Sequence, residues 1–181
     1  MYGHLQVCLF ILDRVQNKNP AVRSGIISGV TPLFLAANHG HEEVFKAIAN
    51  EIEDKNPGDN VGTTPLHGAA RMGHLSICQF ILDRVDDKNP GANCGWTPLH
   101  VATGPGGEKA FKAIFNEIED KNPASTTGWT PLHEAVCRRN LEICQFIIDR
   151  VDEKNPQDKD GVTPLALARR HGFSEIVELF K

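Results

Sequence analysis

Hydrophobic positions in this chain fall into short blocks separated by polar loops, and residues 60–90 contain two kinds of block. The first, Leu66-His67-Gly68-Ala69-Ala70-Arg71, is short and rich in small side chains. The second places Ile77, Cys78, Ile81, Leu82 and Val85 at i, i+1, i+4, i+5 and i+8. That spacing puts them on one face of a 3.6-residue period. The pattern predicts a short helix followed by a longer one. Thr64 stands ready to cap the short helix and Pro65 to open it, at the position where a missing N–H costs nothing. Gly62 turns the chain ahead of this helix, and Gly73, which adopts left-handed backbone freely, stops it. Ala69 and Ala70 allow neighbouring helices to approach closely. A turn, two helices and a returning loop cannot bury an apolar face alone, so the unit must stack on copies of itself.

The copies are present. Thr-Pro-Leu begins at Thr31, Thr64, Thr97, Thr130 and Thr163, so the units repeat every 33 residues. Histidine follows in three of them, at His67, His100 and His133. Lys-Asn-Pro recurs in the same phase, starting at Lys18, Lys55, Lys88, Lys121 and Lys154. Gly62, Thr64-Pro65-Leu66-His67, Ala69-Ala70, Gly73-His74 and the following stripe resemble the ankyrin-repeat family across essentially the whole chain. The resemblance implies an all-α solenoid of stacked antiparallel helix pairs with β-hairpin-like loops. Loop tips and first helices would line a concave surface, and second helices would face outward. The expected organisation is a single repeat domain over 1–181. It comprises a partial repeat and long loop (1–27), full repeats at 28–60, 61–93, 94–126 and 127–159, and a C-terminal repeat at 160–181.

Several positions depart from the simple pattern. Gly3-His4 to Pro20 matches Gly73-His74 to Pro90, so the first unit has a second helix without a first one. An exposed apolar edge is expected at Val7, Cys8, Ile11 and Leu12, which reads as a piece of a longer array or a poorly capped start. At the far end, Arg169 replaces Ala37, Ala70, Thr103 and Val136, as suits a terminal cap. Ile52, Val85, Ile118 and Val151 occupy the place where the family usually has a helix-ending glycine. β-Branched residues resist left-handed backbone, so these helices are expected to run on into the loop until proline stops them. The first full loop carries four extra residues, and Gly104-Pro105-Gly106-Gly107 should shorten one first helix.

A period of 66 overlies that of 33. Phe45-Lys46-Ala47-Ile48 recurs as Phe111-Lys112-Ala113-Ile114, and Ile77-Cys78-Gln79-Phe80 as Ile143-Cys144-Gln145-Phe146. Large and small residues exchange places between the two classes, which keeps core volume roughly constant and points to duplication of a two-repeat block.

Composition narrows the function. The 181 residues are 40% hydrophobic and carry a net charge of −4, which does not favour nucleic-acid or anionic-membrane binding. No apolar run is long enough to span a bilayer. Five cysteines without a CxxC pair read as reduced thiols, which favours the cytoplasm, with the nucleus a further intracellular option. Histidines that recur at the structural period read as structural, bridging to neighbouring backbone, rather than as metal ligands. Cys8, Cys78 and Cys144 share a core position, whereas Cys94 and Cys137 fall where exposure is expected. Gly104–Gly107 lacks the lysine and hydroxyl of a phosphate loop, and the acidic runs lack calcium-loop spacing. No catalytic constellation and no cofactor site emerge, nor any small-molecule substrate.

Charge placement points to a partner surface. Arg71, Arg138, Arg139, Arg169, Arg170, His39 and His171 collect at the ends of first helices, with no acid expected among them. The acids gather on second helices and the loops after them. Trp96 and Trp129, one unit apart, precede Thr-Pro and are expected to be neighbours on the inner face. Tryptophan and arginine dominate interface energetics. The resulting expectation is an interaction module or scaffold that takes an acidic or amphipathic segment of another protein. It would dock across Trp96, Trp129, Arg71, Met72 and Arg138, bordered by Arg139, Arg170, His39 and His171. The alternative is a cytosolic regulatory region of a larger channel, enzyme or adaptor.

Overall fold

The computed structural model describes residues 2–22 and 29–181, apart from the side chains of residues 2–4, 7 and 8. All regular structure among the described residues is helical: α1 (Tyr2–Leu12), α2 (Pro32–Asn38), α3 (Glu42–Asn50), α4 (Pro65–Arg71), α5 (Leu75–Leu82), α6 (Pro98–Val101), α7 (Glu108–Glu117), α8 (Pro131–Cys137), α9 (Leu141–Ile148), α10 (Pro164–Arg170) and α11 (Ser174–Glu178). Each first helix packs on the next, α2 on α4, α4 on α6, α6 on α8 and α8 on α10. Second helices form the other layer, with α1 on α3, α3 on α5, α5 on α7 and α9 on α11.

The core lies between these layers. Leu33, Leu66, Leu99 and Leu132, one from each Thr-Pro-Leu, are fully buried opposite Ile77, Ile81, Ile114, Ile143 and Ile147. Each such side chain contributes roughly 1.5–3 kcal/mol by leaving water. The two classes of second helix interlock. Phe80 meets Phe45 edge-on at 5.7 Å, and Phe146 meets Phe111 in the same manner at 6.2 Å. The short helix α6 spans 4 residues where its counterparts span 7, as the Gly-Pro-Gly-Gly run requires. Gly107 is indispensable there, because a Cβ on it would collide with the carbonyl oxygen of Ala102.

Second helices do not run on toward the proline; that expectation is corrected. They end at Asn50, Leu82, Glu117 and Ile148, well before the Lys-Asn-Pro loop. In four units a lysine then caps the helix end. Lys121 Nζ donates to the Phe115 carbonyl at 2.5 Å and Lys55 to that of Ala49 at 2.5 Å; Lys18 and Lys88 reach Leu12 and Leu82 likewise. A cation thereby satisfies carbonyls orphaned at the helix end, where the helix dipole also favours positive charge. The asparagine of the same tripeptide accepts from the backbone N–H of the next Thr-Pro-Leu leucine. The distances are 2.8 Å for Asn56 and Leu66, and 3.1 Å for both Asn89 with Leu99 and Asn122 with Leu132. One tripeptide ends a helix and fastens the start of another.

The loops turn as hairpins without forming strands. Ala92 N–H donates to the Trp96 carbonyl at 2.8 Å, with Gly95 at φ +78° closing the turn. Backbone bonds then tie successive tips, from Asn93 N–H to the Val61 carbonyl and from Thr126 N–H to that of Cys94, and the side chains of Asn93 and Thr126 add a bond each. In the first loop, Val22 N–H meets the Val30 carbonyl at 2.9 Å, and the four extra residues fall within 23–28, outside the described residues. At the α1 edge, Ile11 is 50% exposed as expected, alongside Leu9 and Phe10. Leu12 is not: at 7% exposure it is part of the core. The side chains of Val7 and Cys8 lie outside the described residues. Arg169 is exposed, where Ala37, Ala70, Thr103 and Val136 are fully buried.

Candidate functional site

The face built from loop tips and first helices is positioned by a column of histidines. Thr64, Thr97 and Thr130 N–H groups donate to Nδ1 of His67, His100 and His133 at 3.2, 3.2 and 3.1 Å. With Nδ1 accepting, the proton sits on Nε2, which donates to the carbonyls of Trp96, Trp129 and Val162 at 3.0, 3.0 and 3.2 Å. Burial lowers the pKa of all three rings, that of His100 to about 4, despite the opposing backbone bond. The imidazoles are therefore neutral bridges to the next unit, as the repeat pattern suggested. The second set differs. His41 and His74 make no side-chain cap bonds, and the His74 ring fills the space a Cβ on Gly40 would need.

These bridges fix the tryptophans. Trp96 stacks on His100 at 5.6 Å and Trp129 on His133 at 5.0 Å. Both indoles are half-buried, and they are linked through the imidazole between them: the ring under Trp96 also holds the Trp129 carbonyl. Trp129 Nε1 donates to Glu134 Oε2 at 3.2 Å, and the other oxygen of Glu134 takes Arg138 Nε at 2.7 Å. The expected acid-free row is thus corrected at one place. Glu134 lies four residues before Arg138 on α8, within reach of its guanidinium. The sequence carried that signal in the i, i+4 spacing.

The remaining cations are spread along the same helix ends. Arg71 is exposed and donates to Asn38 Oδ1 at 2.8 Å, and Met72 beside it is 51% exposed. Arg139, at φ 53°, lies over the Phe173 ring, on which His171 also stacks. His39 stacks on His41, and Arg170 is exposed.

Arg71 and Trp96 come together around a recess of about 340 Å³. Phe34, Ala92 and Val101 supply apolar walls, while Thr63, His67, Gly68 and Cys94 complete the lining. Trp129, Arg138, Arg139 and Met72 do not line it. Sequence reasoning missed Phe34, Val101 and Cys94 here, although two signals existed. Phe34 occupies the place of His67, His100 and His133, and Gly68 that of Leu35, Val101, Glu134 and Leu167. A glycine in that column leaves space between the units on either side.

Among the described residues, no group of three or more His, Cys, Asp or Glu side chains is placed to hold a metal ion. No helix among them is long and apolar enough to cross a membrane. Cys78 and Cys144 are buried, which pushes their thiols up to about 12, whereas Cys94 and Cys137 are exposed. A second recess, of about 300 Å³, lies among the loops after α7 and α9 and mixes Asp120, Asp152 and Glu153 with Lys121 and Arg150.

The family model for ankyrin repeats in three copies matches residues 1–90, 58–124, 83–158 and 106–181, which together span the chain. No curated protein matches the chain in sequence.

Proposed function

We propose that this chain, which belongs to the ankyrin-repeat family, recognises an acidic or amphipathic segment of another protein along its loop tips and first helices. Ankyrin repeats are in general protein–protein interaction modules, typically without catalysis. The observation that carries the finer reading is the placement of Arg71 and Trp96 around one apolar recess. Arg170 extends the positive row beside His39 and His171, and Trp129 and Arg138 form a second, acid-buffered patch through Glu134. The expected occupant is negatively charged because the chain's acids lie mainly on the opposite layer, although its net charge is −4. The reading takes 28–60, 61–93, 94–126 and 127–159 as the full repeats of one domain. Its unpaired thiols favour a reducing, intracellular setting, which a fluorescently tagged chain would reveal by microscopy.

The test is to identify bound proteins by proximity labelling and to measure the affinity of the recovered segment. Replacing both Trp96 and Trp129 with alanine should weaken binding by about 10-fold or more, in the range of interface hot spots. Salt should weaken it further, because the contacts are solvent-facing charges. Unchanged affinity in a variant of unchanged thermal midpoint would sink the reading.

A further inference from the structure

The geometry points to the recess around Gly68 as a socket for one large apolar side chain of a peptide, with Arg71 gripping a neighbouring carboxylate. The inference rests on the reading above and specifies its chemistry: an acidic segment with an apolar anchor.

The argument begins with what the recess lacks. First helices present Leu35, Val101, Glu134 and Leu167 at one register, and glycine at position 68 interrupts that column. Bulk at Gly68 itself would crowd α2. A Cβ there would lie 3.2 Å from Asn38 Cβ and 3.3 Å from its Cα, so the close approach of α2 and α4 favours glycine. The packing that favours glycine leaves the recess between Phe34 on one side and Trp96 and Val101 on the other. At about 340 Å³, it lies at the lower end of the roughly 300–1,000 Å³ usual for ligand pockets. It opens to solvent, which suits an inserted side chain better than an enclosed ligand.

Charge selects the rest of the occupant. Among the described residues, Arg71 is the only one lining the recess with a permanent charge, and no carboxylate lines it. Its neutral partner Asn38 Oδ1 occupies one guanidinium nitrogen, Nη2, and leaves Nη1 and Nε available to a carboxylate. Arg138 differs, since Glu134 already neutralises it. The socket thus fits a leucine, methionine or phenylalanine with an aspartate or glutamate within one turn. Cys94, an exposed thiol in the lining, reports on occupancy, while exposed Cys137 lies outside the recess.

The experiment selects displayed random 12-residue peptides on the full chain and measures the recovered peptides by fluorescence anisotropy. Enriched peptides should combine one large apolar residue with a nearby acid. Val101→Phe should fill the socket, at a register where Leu35 and Leu167 already accommodate bulk, and should weaken binding at least 10-fold. Arg71→Glu should do the same, and Lys154→Glu, in the loop after α9 and away from the binding face, should change affinity less than 3-fold. Bound peptide should slow maleimide labelling of Cys94, read by mass spectrometry, and leave Cys137 unchanged. Peptides that lose affinity with Arg170→Glu or Trp129→Ala, yet tolerate Val101→Phe and leave Cys94 reactive, would overturn the socket and keep the wider face. Recovery of no peptide, or only of peptides indifferent to every one of these substitutions, would overturn both.

Discussion

The Nε2–H of His100 points at the carbonyl oxygen of Trp129, 3.0 Å away and 29 residues further along the chain. That bond exists with the ring neutral, because Nδ1 is occupied by the Thr97 N–H. Protonation would place a second proton on Nδ1, facing a donor, inside a buried site. The folded pKa of about 4 lies below the ordinary 6.5, so the unfolded chain binds protons first as pH falls. The contribution of His100 is complete above 6.5 and is lost progressively from there toward pH 4. His67 and His133 are shifted in the same direction. Urea midpoints should hold steady above about pH 7 and fall between 6.5 and 4.5, before the carboxylate range. A midpoint unchanged from pH 7 to 5 would contradict the bridge.

Lysine capping predicts a contrast between two superficially equal residues. Lys121 donates to the Phe115 carbonyl and lies 4.9 Å from the Phe115 ring centre. Lys154, in the equivalent place, is exposed and makes no such bond. Lys121→Met should destabilise the chain by about 1–2 kcal/mol, the range for a hydrogen bond from a charged donor. Lys154→Met should change stability by no more than about 0.5 kcal/mol. Chemical denaturation of the two variants distinguishes these outcomes.

The edge at α1 should be the first part to open. Phe10 and Ile11 are 60% and 50% exposed, whereas Ile81, the equivalent of Ile11, is 0%. Amides in residues 4–15 should exchange with solvent faster than those in 74–85, by at least about 10-fold where a 1.4 kcal/mol difference in opening applies. Equal protection, measured by mass spectrometry, would mean that a second copy or another body covers this edge.

Thiol chemistry should divide the described cysteine side chains in two. Cys94 and Cys137 are exposed and should react with an aromatic disulfide reagent in the folded chain. Cys78 and Cys144, buried and held at about 12, should react only after unfolding. Labelling at Cys78 in the folded chain at neutral pH would place it outside the core.

The fold was legible because its signals are local. Thr-Pro-Leu-His carries its own cap and first turn, and the 33-residue period supplies the stacking partner. The end of the second helix was not legible. Its lysine cap depends on a loop folding back over the last turn, which no periodicity encodes. The binding face was partly legible. Residue type placed Arg71 and Trp96 on it, but their shared recess depends on Phe34 and Val101 from the flanking units and on Gly68 between them. Arg138 shows the limit of counting charges by position: Glu134, one helical turn away, had already claimed it.

The edge-on contacts of Phe45 with Phe80 and of Phe111 with Phe146 constrain how this molecule can change length. Excising residues 61–93 would set the helix bearing Phe45 against the one bearing Phe111. Two rings would then compete for one rung, and Ala47 and Ala113 would leave the next rung empty. Overfilling a core site typically costs about 1–3 kcal/mol, and the void adds to it. Excising 61–126 instead would bring Phe45 to Phe146 and restore the original fit. Insertions obey the same parity, so this array lengthens or shortens in steps of two.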